Sequence, residues 1–348
     1  MKERMLSGGR PTGKLHLGHY MGAFKSLADL QNKYDTYFII SDMHMLTTKC
    51  KKEHIQSMFE NTINMIIDSI GMGMNPKNTT FYLQSQIPEL SNIFGFMQNM
   101  ISAKRVSLTP SLLEMKKHAS QSDMTLGLLA YPVLEAADVF ALKAKYVPVG
   151  KDNIDHIKIA QELVRFINKE YDANFIIPEY ITTKNNYVVG IDGSNKMSKS
   201  LDNCIYVRDS NDSISQKVQR MPWTPINSDS LNVVMNYLEV FGNNEDKELL
   251  IRFKDGDKNL EQTARKALTE RLISIVHPMN ERMRPFLKDK EEIINLLSSG
   301  TEKVRETVRS QQKALHTTMG MIDLFPEGSK LSQNTKKIDF QRDVKTYD

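Results

Sequence analysis

Two short stretches carry most of the legible chemistry in this 348-residue sequence. The first, Ser7-Gly-Gly-Arg-Pro-Thr-Gly-Lys-Leu-His-Leu-Gly-His-Tyr-Met-Gly-Ala-Phe24, reads as a glycine-studded turn that runs into a helix starting near Gly18. A helix N-terminus presents unpaired N–H groups and a positive dipole end, which suits a nucleotide phosphate. Glycine at position 18 permits close approach of a ligand. His16 and His19 can donate hydrogen bonds to charge developing on a phosphoryl group. The same His-x-x-His spacing also fits an ordinary structural turn, and zinc is disfavoured because no third ligand is nearby. The second stretch runs from Gly190 to Asn203 and carries Lys-Met-Ser-Lys-Ser at 196–200. Lys196 and Lys199, three apart in a glycine-led polar loop, can clamp a pyrophosphate leaving group, with Ser198 and Ser200 as further donors. A lysine pair alone is usually a solvated loop. The full pentapeptide beside the first stretch is far more specific.

A third stretch, Tyr131-Pro-Val-Leu-Glu-Ala-Ala-Asp-Val139, is followed by Tyr146-Val-Pro-Val-Gly-Lys-Asp-Asn-Ile-Asp-His156. Glu135 and Asp138 lie three apart on an expected helix and so face one way. Carboxylates on a helix that otherwise reads as core are costly unless each finds a partner. Helix-surface charge is the plain alternative, weaker for Asp138 because Ala136, Ala137, Val139 and Phe140 crowd it.

Together these residues resemble the class I aminoacyl-tRNA synthetases, whose signatures are met at His16-Leu17-Gly18-His19 and at Lys196–Ser200. The resemblance implies ATP held between the two loops, with His16, His19, Lys196 and Lys199 stabilising the transition state of adenylate formation. It implies nucleotide contacts from Arg10, Pro11, Thr12, Gly18 and His19 in the first loop. Further contacts would come from Gly150, Lys151, Asp152 and Tyr187, and from Lys196, Met197, Ser198, Lys199 and Ser200. Mg²⁺ would arrive with the triphosphate, held mainly by phosphate oxygens rather than by a dedicated protein cage.

Within that class the third stretch resembles the bacterial type of tryptophanyl-tRNA synthetase, and the resemblance spans most of the chain. In that family the aspartate matching Asp138 accepts the indole N–H, and the tyrosine matching Tyr131 helps hold the α-amino group. Val139, Val147 and Val149 would supply flat apolar walls, and His44 and Asp42 follow a strand close to the pocket. Three positions depart from the usual residues. Glu135 stands where methionine or glutamine is commoner, Asn153 replaces a common glutamine, and Leu6 sits where an aromatic residue is frequent. The implied partners are L-tryptophan and tRNA(Trp), bound by a homodimer. Tyrosyl-tRNA synthetases also use a tyrosine and an aspartate, so the combined spacing from Tyr131 to Gly150 is what favours tryptophan. A small-molecule nucleotidyltransferase shares the first histidine motif but lacks this form of the second loop. An inactive RNA-binding paralogue is disfavoured by the intact histidines and lysines.

Such residues need elements to position them. Thr36–Asp42 reads as a buried parallel strand, Lys52–Ile70 as an amphipathic helix stopped by Gly71, and Thr79–Gln84 as another strand. Helices are expected near Glu89–Ser102 and Asp123–Leu142, then a strand at Tyr146–Val149 and a helix that Asp152 can cap. This alternation predicts an α/β fold, a Rossmann-like doubly wound parallel sheet with ligands beyond the strand C-terminal ends. After about residue 210 the strand signals fade, and Leu231–Phe241, Leu260–Val276 and Glu291–Met319 look helical. The expected partition is a catalytic domain over 1–210, a helical anticodon-binding region over 211–320, and a polar tail over 321–348. On the last of these helices Lys303, Arg305, Arg309 and Lys313 leave the apolar stripe and offer a face for phosphates, with Arg282 and Arg284 as further candidates.

Composition sets limits on the rest. Apolar residues at 40% and charged residues at 25% describe an ordinary globular chain. No apolar run approaches the roughly 18–20 residues of a membrane span, and no secretory signal is legible at the N-terminus. The two cysteines, Cys50 and Cys204, form neither a disulfide framework nor a zinc pattern, so a reducing cytoplasm is expected. The net charge of +4 is spread evenly, so any nucleic-acid partner must be held by a local patch. There is no room for an editing insertion, and the large indole allows smaller competitors to be rejected by binding alone.

Overall fold

In the computed structural model, residues 2–113, 124–150, 153–182, 188–194, 197–224, 231–257 and 259–322 are described. Five parallel strands form one sheet: β1 (Arg4–Gly9), β2 (Asp35–Ile40), β3 (Thr79–Leu83), β4 (Tyr146–Val149) and β5 (Glu179–Thr182). Their order is β3-β2-β1-β4-β5, with β1 paired to both β2 and β4. The strand order therefore reverses between β1 and β4, and a crevice opens beyond their carboxyl ends. The expected α/β, doubly wound class is what the chain adopts.

β1 is central yet was not expected from its sequence. Met-Leu-Ser-Gly-Gly has no β-branched run, and the strand is held instead by burial on both faces. Leu6 packs into one core cluster and Met5 into the other. Gly8 is required by the neighbouring strand, because a Cβ there would stand 2.1 Å from the Ile39 side chain. The first motif then enters a continuous helical run: Leu17–His19, a π-turn at Tyr20–Phe24, and Lys25–Leu30.

The other elements follow their apolar periodicity with shifted ends. The helix expected over 52–70 is broken at Ser57 into Lys52–Gln56 and Met58–Gly71. The next begins with Pro88 at its first turn and ends at Met97. Leu126–Ala141 and Ile154–Glu170 cover one face of the sheet, packing with Val147 and Val149 in a shared core. The Asp152 cap and the start of the Asp123 helix lie outside the described residues. No helix among the described residues is long and apolar enough to cross a membrane.

The C-terminal helices pack back on the sheet. Glu261–Lys288 runs through Pro278 and Pro285, and its Met279 and Met283 share a core cluster with Ile66 and Ile70. Lys290–Thr318 lies along β3, and its Gly300 approaches so closely that a Cβ would stand 2.1 Å from the Phe81 carbonyl oxygen. Val304, Val308 and Leu315 complete the sheet's own apolar core. A third cluster joins Leu17, Met21, Met197 and Ile205 to Val218, Val234, Leu268 and Leu272. Both signature stretches are thus rooted in the same helical core. The tail beyond Ile322 lies outside the described residues.

The basic face of Lys290–Thr318 is partly consumed in this docking. Arg305 and Arg309 both donate to the Glu89 carboxylate, at 3.1 and 2.7 Å, and Lys303 donates to Thr80 Oγ1 at 3.2 Å. Arg282 donates to the Gly71 carbonyl and Arg284 pairs with Glu281. Burial pushes the Glu89 carboxyl up, but hydrogen bonds from Arg309, its own backbone and Arg305 bring it below the usual value. A lowered carboxyl pKa adds stability above the unfolded value of about 4.3, and this is lost as pH falls through the folded value. Glu89→Gln should therefore cost up to about 1 kcal/mol at neutral pH, limited because Arg309 is half exposed. Urea titrations of both proteins should converge below about pH 4; a gap that persists in acid would mean that packing, not charge, is responsible.

Candidate active site

The first signature stretch is stitched by backbone to the segment that directly follows the second. Leu17 N–H donates to the Ile205 carbonyl (2.9 Å) and Val207 N–H to the Leu15 carbonyl (3.1 Å), with His16 and Tyr206 opposite each other in an antiparallel bridge. Beneath this pairing Asp68, buried on the helix Met58–Gly71, accepts the Leu15 N–H at 3.3 Å and a hydrogen bond from Arg208 Nε. Arg208 also reaches the Asn64 side chain and carbonyl at 3.0 and 3.1 Å. Burial raises the Asp68 carboxyl pKa, against the lowering pull of Arg208.

The second loop is closed at its base by Asn203, whose Oδ1 accepts the Ser198 N–H (2.7 Å) while its amide donates to Asp192 and Ser194. Gly190 makes room for it, since a Cβ there would meet the Asn203 amide at 2.1 Å. At the loop's tip, Lys199 Nζ donates to the Thr12 carbonyl (3.3 Å) and Thr12 Oγ1 (3.2 Å), so the two loops touch across the crevice.

Between them lies a cleft of about 630 Å³, lined by Arg10, Thr12, His16, Met197, Ser198 and Lys199 together with Thr48 and Lys49. The first six were expected from sequence. Thr48 and Lys49 were not, because they follow the short helix Asp42–Leu46 with no motif to mark them. His16 stacks on His19 with ring centroids 3.8 Å apart, and the His16 N–H donates to His19 Nδ1. A Cβ on Gly18 would stand 2.9 Å from the His16 ring, so this glycine also preserves the histidine stack. Burial lowers the Lys199 pKa, and the charges of Lys49 and Arg10 lower it further. A cleft of mutually repelling cations and hydroxyls is a site for a polyanion, which would relieve that repulsion. Pro11 is buried between the lining residues Arg10 and Thr12, and Gly150 directly follows β4. Lys151, Asp152, Tyr187 and Lys196 lie outside the described residues, as does the Ser200 side chain.

A second polar cluster sits on the helix Leu126–Ala141. Asp138 is buried, and Gln84 Nε2 donates to both its oxygens at 3.0 Å, while His44 Nε2 lies 3.0 Å from Oδ2. The His44 N–H in turn donates to Gln84 Oε1 at 3.4 Å. Burial raises the Asp138 carboxyl pKa against the pull of His44 and Gln84. Burial disfavours charge on His44, yet Asp138 and Glu135 raise it overall. Both shifts act to keep a proton on the pair. Asp42 instead cross-braces the strand ends, accepting the N–H groups of Met43 and Ser85.

One turn earlier on the helix, Tyr131 and Glu135 belong to another network. Ser111 Oγ lies 2.6 Å from the Tyr131 hydroxyl and 2.7 Å from His156 Nε2, and His156 Nδ1 lies 2.9 Å from Glu135 Oε2. Burial raises Glu135, but the hydrogen bond from His156 brings its pKa below the usual carboxylate value. Val139, Val147, Val149 and Leu6 lie buried behind these groups in one core cluster. Asn153 starts the helix Ile154–Glu170 without a side-chain cap bond. Gln84, Ser111 and His156 are the polar residues that sequence reasoning left unassigned. Only Gln84 had a signal, being polar at the carboxyl end of a strand in a doubly wound sheet.

The family model for tRNA synthetases class I (W and Y) matches residues 2–284. The Tryptophan--tRNA ligase of Chlamydia caviae is 37% identical over 332 residues, covering 91% of this chain and 96% of that protein. That of Borreliella burgdorferi is 37% identical over 344 residues, covering 95% and 97%. The crystal structure of tryptophanyl-tRNA synthetase from Campylobacter jejuni, complexed with ADP and tryptophan, superposes with a TM-score of 0.77 at 25% identity, covering 91% of this chain and all of that one. A tyrosyl-tRNA synthetase from Archaeoglobus fulgidus shares the fold with a TM-score of 0.64 at 20% identity, covering 81% of this chain and 90% of that one.

The Asp68–Arg208 pair holds the stitched loops to the helix Met58–Gly71, and it makes a direct prediction. Arg208→Met leaves a buried carboxylate without its cation and should cost about 3 kcal/mol at neutral pH. A carboxyl whose folded pKa is raised binds more protons folded than unfolded, so its penalty falls on acidification. Urea denaturation should show a smaller deficit near pH 5 than near pH 8; equal deficits would mean that Asp68 carries no charge there.

Proposed function

The chain belongs to the class I tRNA synthetase family of tryptophan and tyrosine enzymes, and from that membership we propose that it joins L-tryptophan to tRNA(Trp) through tryptophanyl-adenylate. The observation that carries the reading is the adjacency of two unlike sites. A cationic, hydroxyl-lined cleft adjoins a buried carboxylate: Thr48 and Lys49 of the cleft follow the short helix Asp42–Leu46, whose His44 is the partner of Asp138.

ATP occupies the cleft, its phosphates drawn by Arg10, Lys49 and Lys199 and by the hydroxyls of Thr12 and Thr48. The residues lining the cleft are cations and hydroxyls rather than carboxylates. This set fits phosphate oxygens and leaves Mg²⁺ to be carried on the triphosphate, where it would neutralise part of the charge. Tryptophan lies over Val139, Val147 and Val149, its indole N–H donated to Asp138. Gln84 and His44 orient that carboxylate and leave it acceptor capacity to spare. Tyr131 accepts from the α-ammonium group. The tryptophan carboxylate attacks the α-phosphorus, and the bond to the bridging oxygen breaks. His16, His19, Lys196 and Lys199 stabilise the charge on the departing pyrophosphate. The terminal hydroxyl of tRNA then attacks the acyl carbon and AMP leaves.

The division into a catalytic domain over 1–210 and a helical anticodon-binding region over 211–320 belongs to the same reading, as do cytoplasmic action and a homodimer, for which light scattering should give the mass of two chains. Since Arg305 and Arg309 are engaged with Glu89, anticodon contacts would fall mainly on other residues of that region.

ATP–pyrophosphate exchange with each of the twenty amino acids tests the function: exchange is expected with tryptophan, and exchange driven by tyrosine instead would refute the substrate. Asp138→Asn should raise the KM for tryptophan at least roughly tenfold and leave that for ATP nearly unchanged. Lys199→Ala should lower the exchange rate while tryptophan affinity, read by calorimetry, is retained.

A further inference from the structure

The network Ser111–Tyr131–His156–Glu135 has a proton count that decides what it can offer a ligand. Ser111 Oγ, Tyr131 Oη and His156 Nε2 form a triangle with sides of 2.6, 2.7 and 3.1 Å. Glu135 Oε2 lies against the other ring nitrogen, Nδ1, at 2.9 Å. His156 is buried at the centre of the network, while Ser111, Tyr131 and Glu135 are partly exposed at its edge. An ionised carboxylate only accepts hydrogen bonds, so the ring nitrogen facing it must carry the proton. The second nitrogen of a neutral imidazole is then bare and accepts.

Two hydroxyl protons must therefore serve two needs inside the triangle. One must lie between the hydroxyl oxygens, which otherwise repel at 2.6 Å, and one must satisfy Nε2. Either Ser111 donates to Nε2 and Tyr131 to Ser111, or Tyr131 donates to Nε2 and Ser111 to Tyr131. In both arrangements the Tyr131 proton is spent inward and a lone pair of its oxygen faces out. With the opposite tautomer, Nε2–H would itself donate into the triangle, leaving one hydroxyl proton surplus and free to turn outward against a cation.

We propose that Glu135 is a positioning residue for amino-acid recognition, which fixes the His156 tautomer and thereby turns the Tyr131 hydroxyl into an acceptor for the substrate's α-ammonium group. Glu135 touches no reacting atom; it acts through His156. This inference rests on the reading of Tyr131 as the ammonium ligand. It also accounts for a carboxylate at a position where, by the family resemblance, methionine or glutamine is usual. Glutamine can present a carbonyl oxygen to Nδ1–H in the same way, whereas methionine is a poor acceptor.

The experiment compares two ligands of the full-length protein by calorimetry at about pH 8, above the ordinary imidazole pKa of roughly 6.5. The ligands are L-tryptophan and indole-3-propanoate, which lacks only the amino group. Glu135→Met should weaken tryptophan roughly tenfold, the cost of one poorly made hydrogen bond to a charged group, and leave indole-3-propanoate within about twofold. Glu135→Gln should keep tryptophan within about threefold of the parent. Equal weakening of both ligands by Glu135→Met would mean a merely structural role. A Glu135→Gln loss as large as that of Glu135→Met would mean that charge, not tautomer, matters. Either result overturns the proposal. Tyr131→Phe separates the two levels: if it leaves the preference for tryptophan intact, the ammonium reading and this inference both fall. If it abolishes the preference while Glu135→Met does not, only the inference falls. Nitrogen-15 NMR of the unsubstituted protein at about pH 8 needs no variant: the His156 proton is expected on Nδ1 alone, and a proton on Nε2, with or without one on Nδ1, overturns the proposal.

Discussion

Everything in the site depends on one short piece of backbone pairing, between Leu15–Leu17 and Ile205–Val207. It joins a loop that leaves the central strand to a loop formed after the whole sheet is complete. Closing so long a stretch of chain carries an entropic cost that grows only slowly with length, and two hydrogen bonds could not offset it alone. The pairing persists because apolar residues on both sides enter one core. Leu17 and Met21 from the first stretch, and Met197 and Ile205 from the second, are buried with the helices after residue 210. The buried Asp68 then reads both loops at once, through the Leu15 N–H and through Arg208. The helical region is thus part of what forms the cationic cleft.

The two halves of the site solve opposite electrostatic problems. The cleft gathers cations that repel one another, and burial already lowers the Lys199 pKa, so charge balance there waits for a polyanion. The second polar cluster gathers carboxylates, Asp138 and Glu135, which would repel each other if left bare. Each is matched to its own histidine, His44 for Asp138 and His156 for Glu135. A buried polar network of this kind is tolerable only when every member has a partner. Once satisfied, it holds its donors and acceptors in fixed directions, as the proposed recognition of an indole N–H and an ammonium group would require.

Legibility in the sequence followed local physics. Strands with β-branched or aromatic runs, such as β2 and β3, and helices with a clear apolar stripe were readable within a few residues. β1 and β5 were not. β1 owes its place to neighbours that bury both its faces, and β5 is a largely exposed edge strand with little apolar signal. In the site, the contiguous motifs around His16 and Lys199 were readable because one loop carries each. Gln84, Ser111 and His156 were not assigned, because they come to Asp138 and Tyr131 only through tertiary packing. The Ser57 break in the helix expected over 52–70 is likewise a tertiary matter, since the apolar period of the sequence runs through it undisturbed.

The basic residues of the last helix show how far a charge pattern falls short of a function. On sequence, Lys303, Arg305, Arg309 and Lys313 look alike, four cations off the apolar stripe. In the fold, Glu89 gathers two of them and Thr80 a third, because the helix must dock against the end of β3 and the helix beginning at Pro88. An arginine already hydrogen-bonded to a carboxylate must release it before binding a phosphate, so its contribution to RNA affinity is reduced by the strength of the bond it gives up. Net charge conceals this. A chain of +4 can hold tRNA only where its cations are not already committed to holding the fold, and it is the pairing of charges, more than their number, that decides where that is.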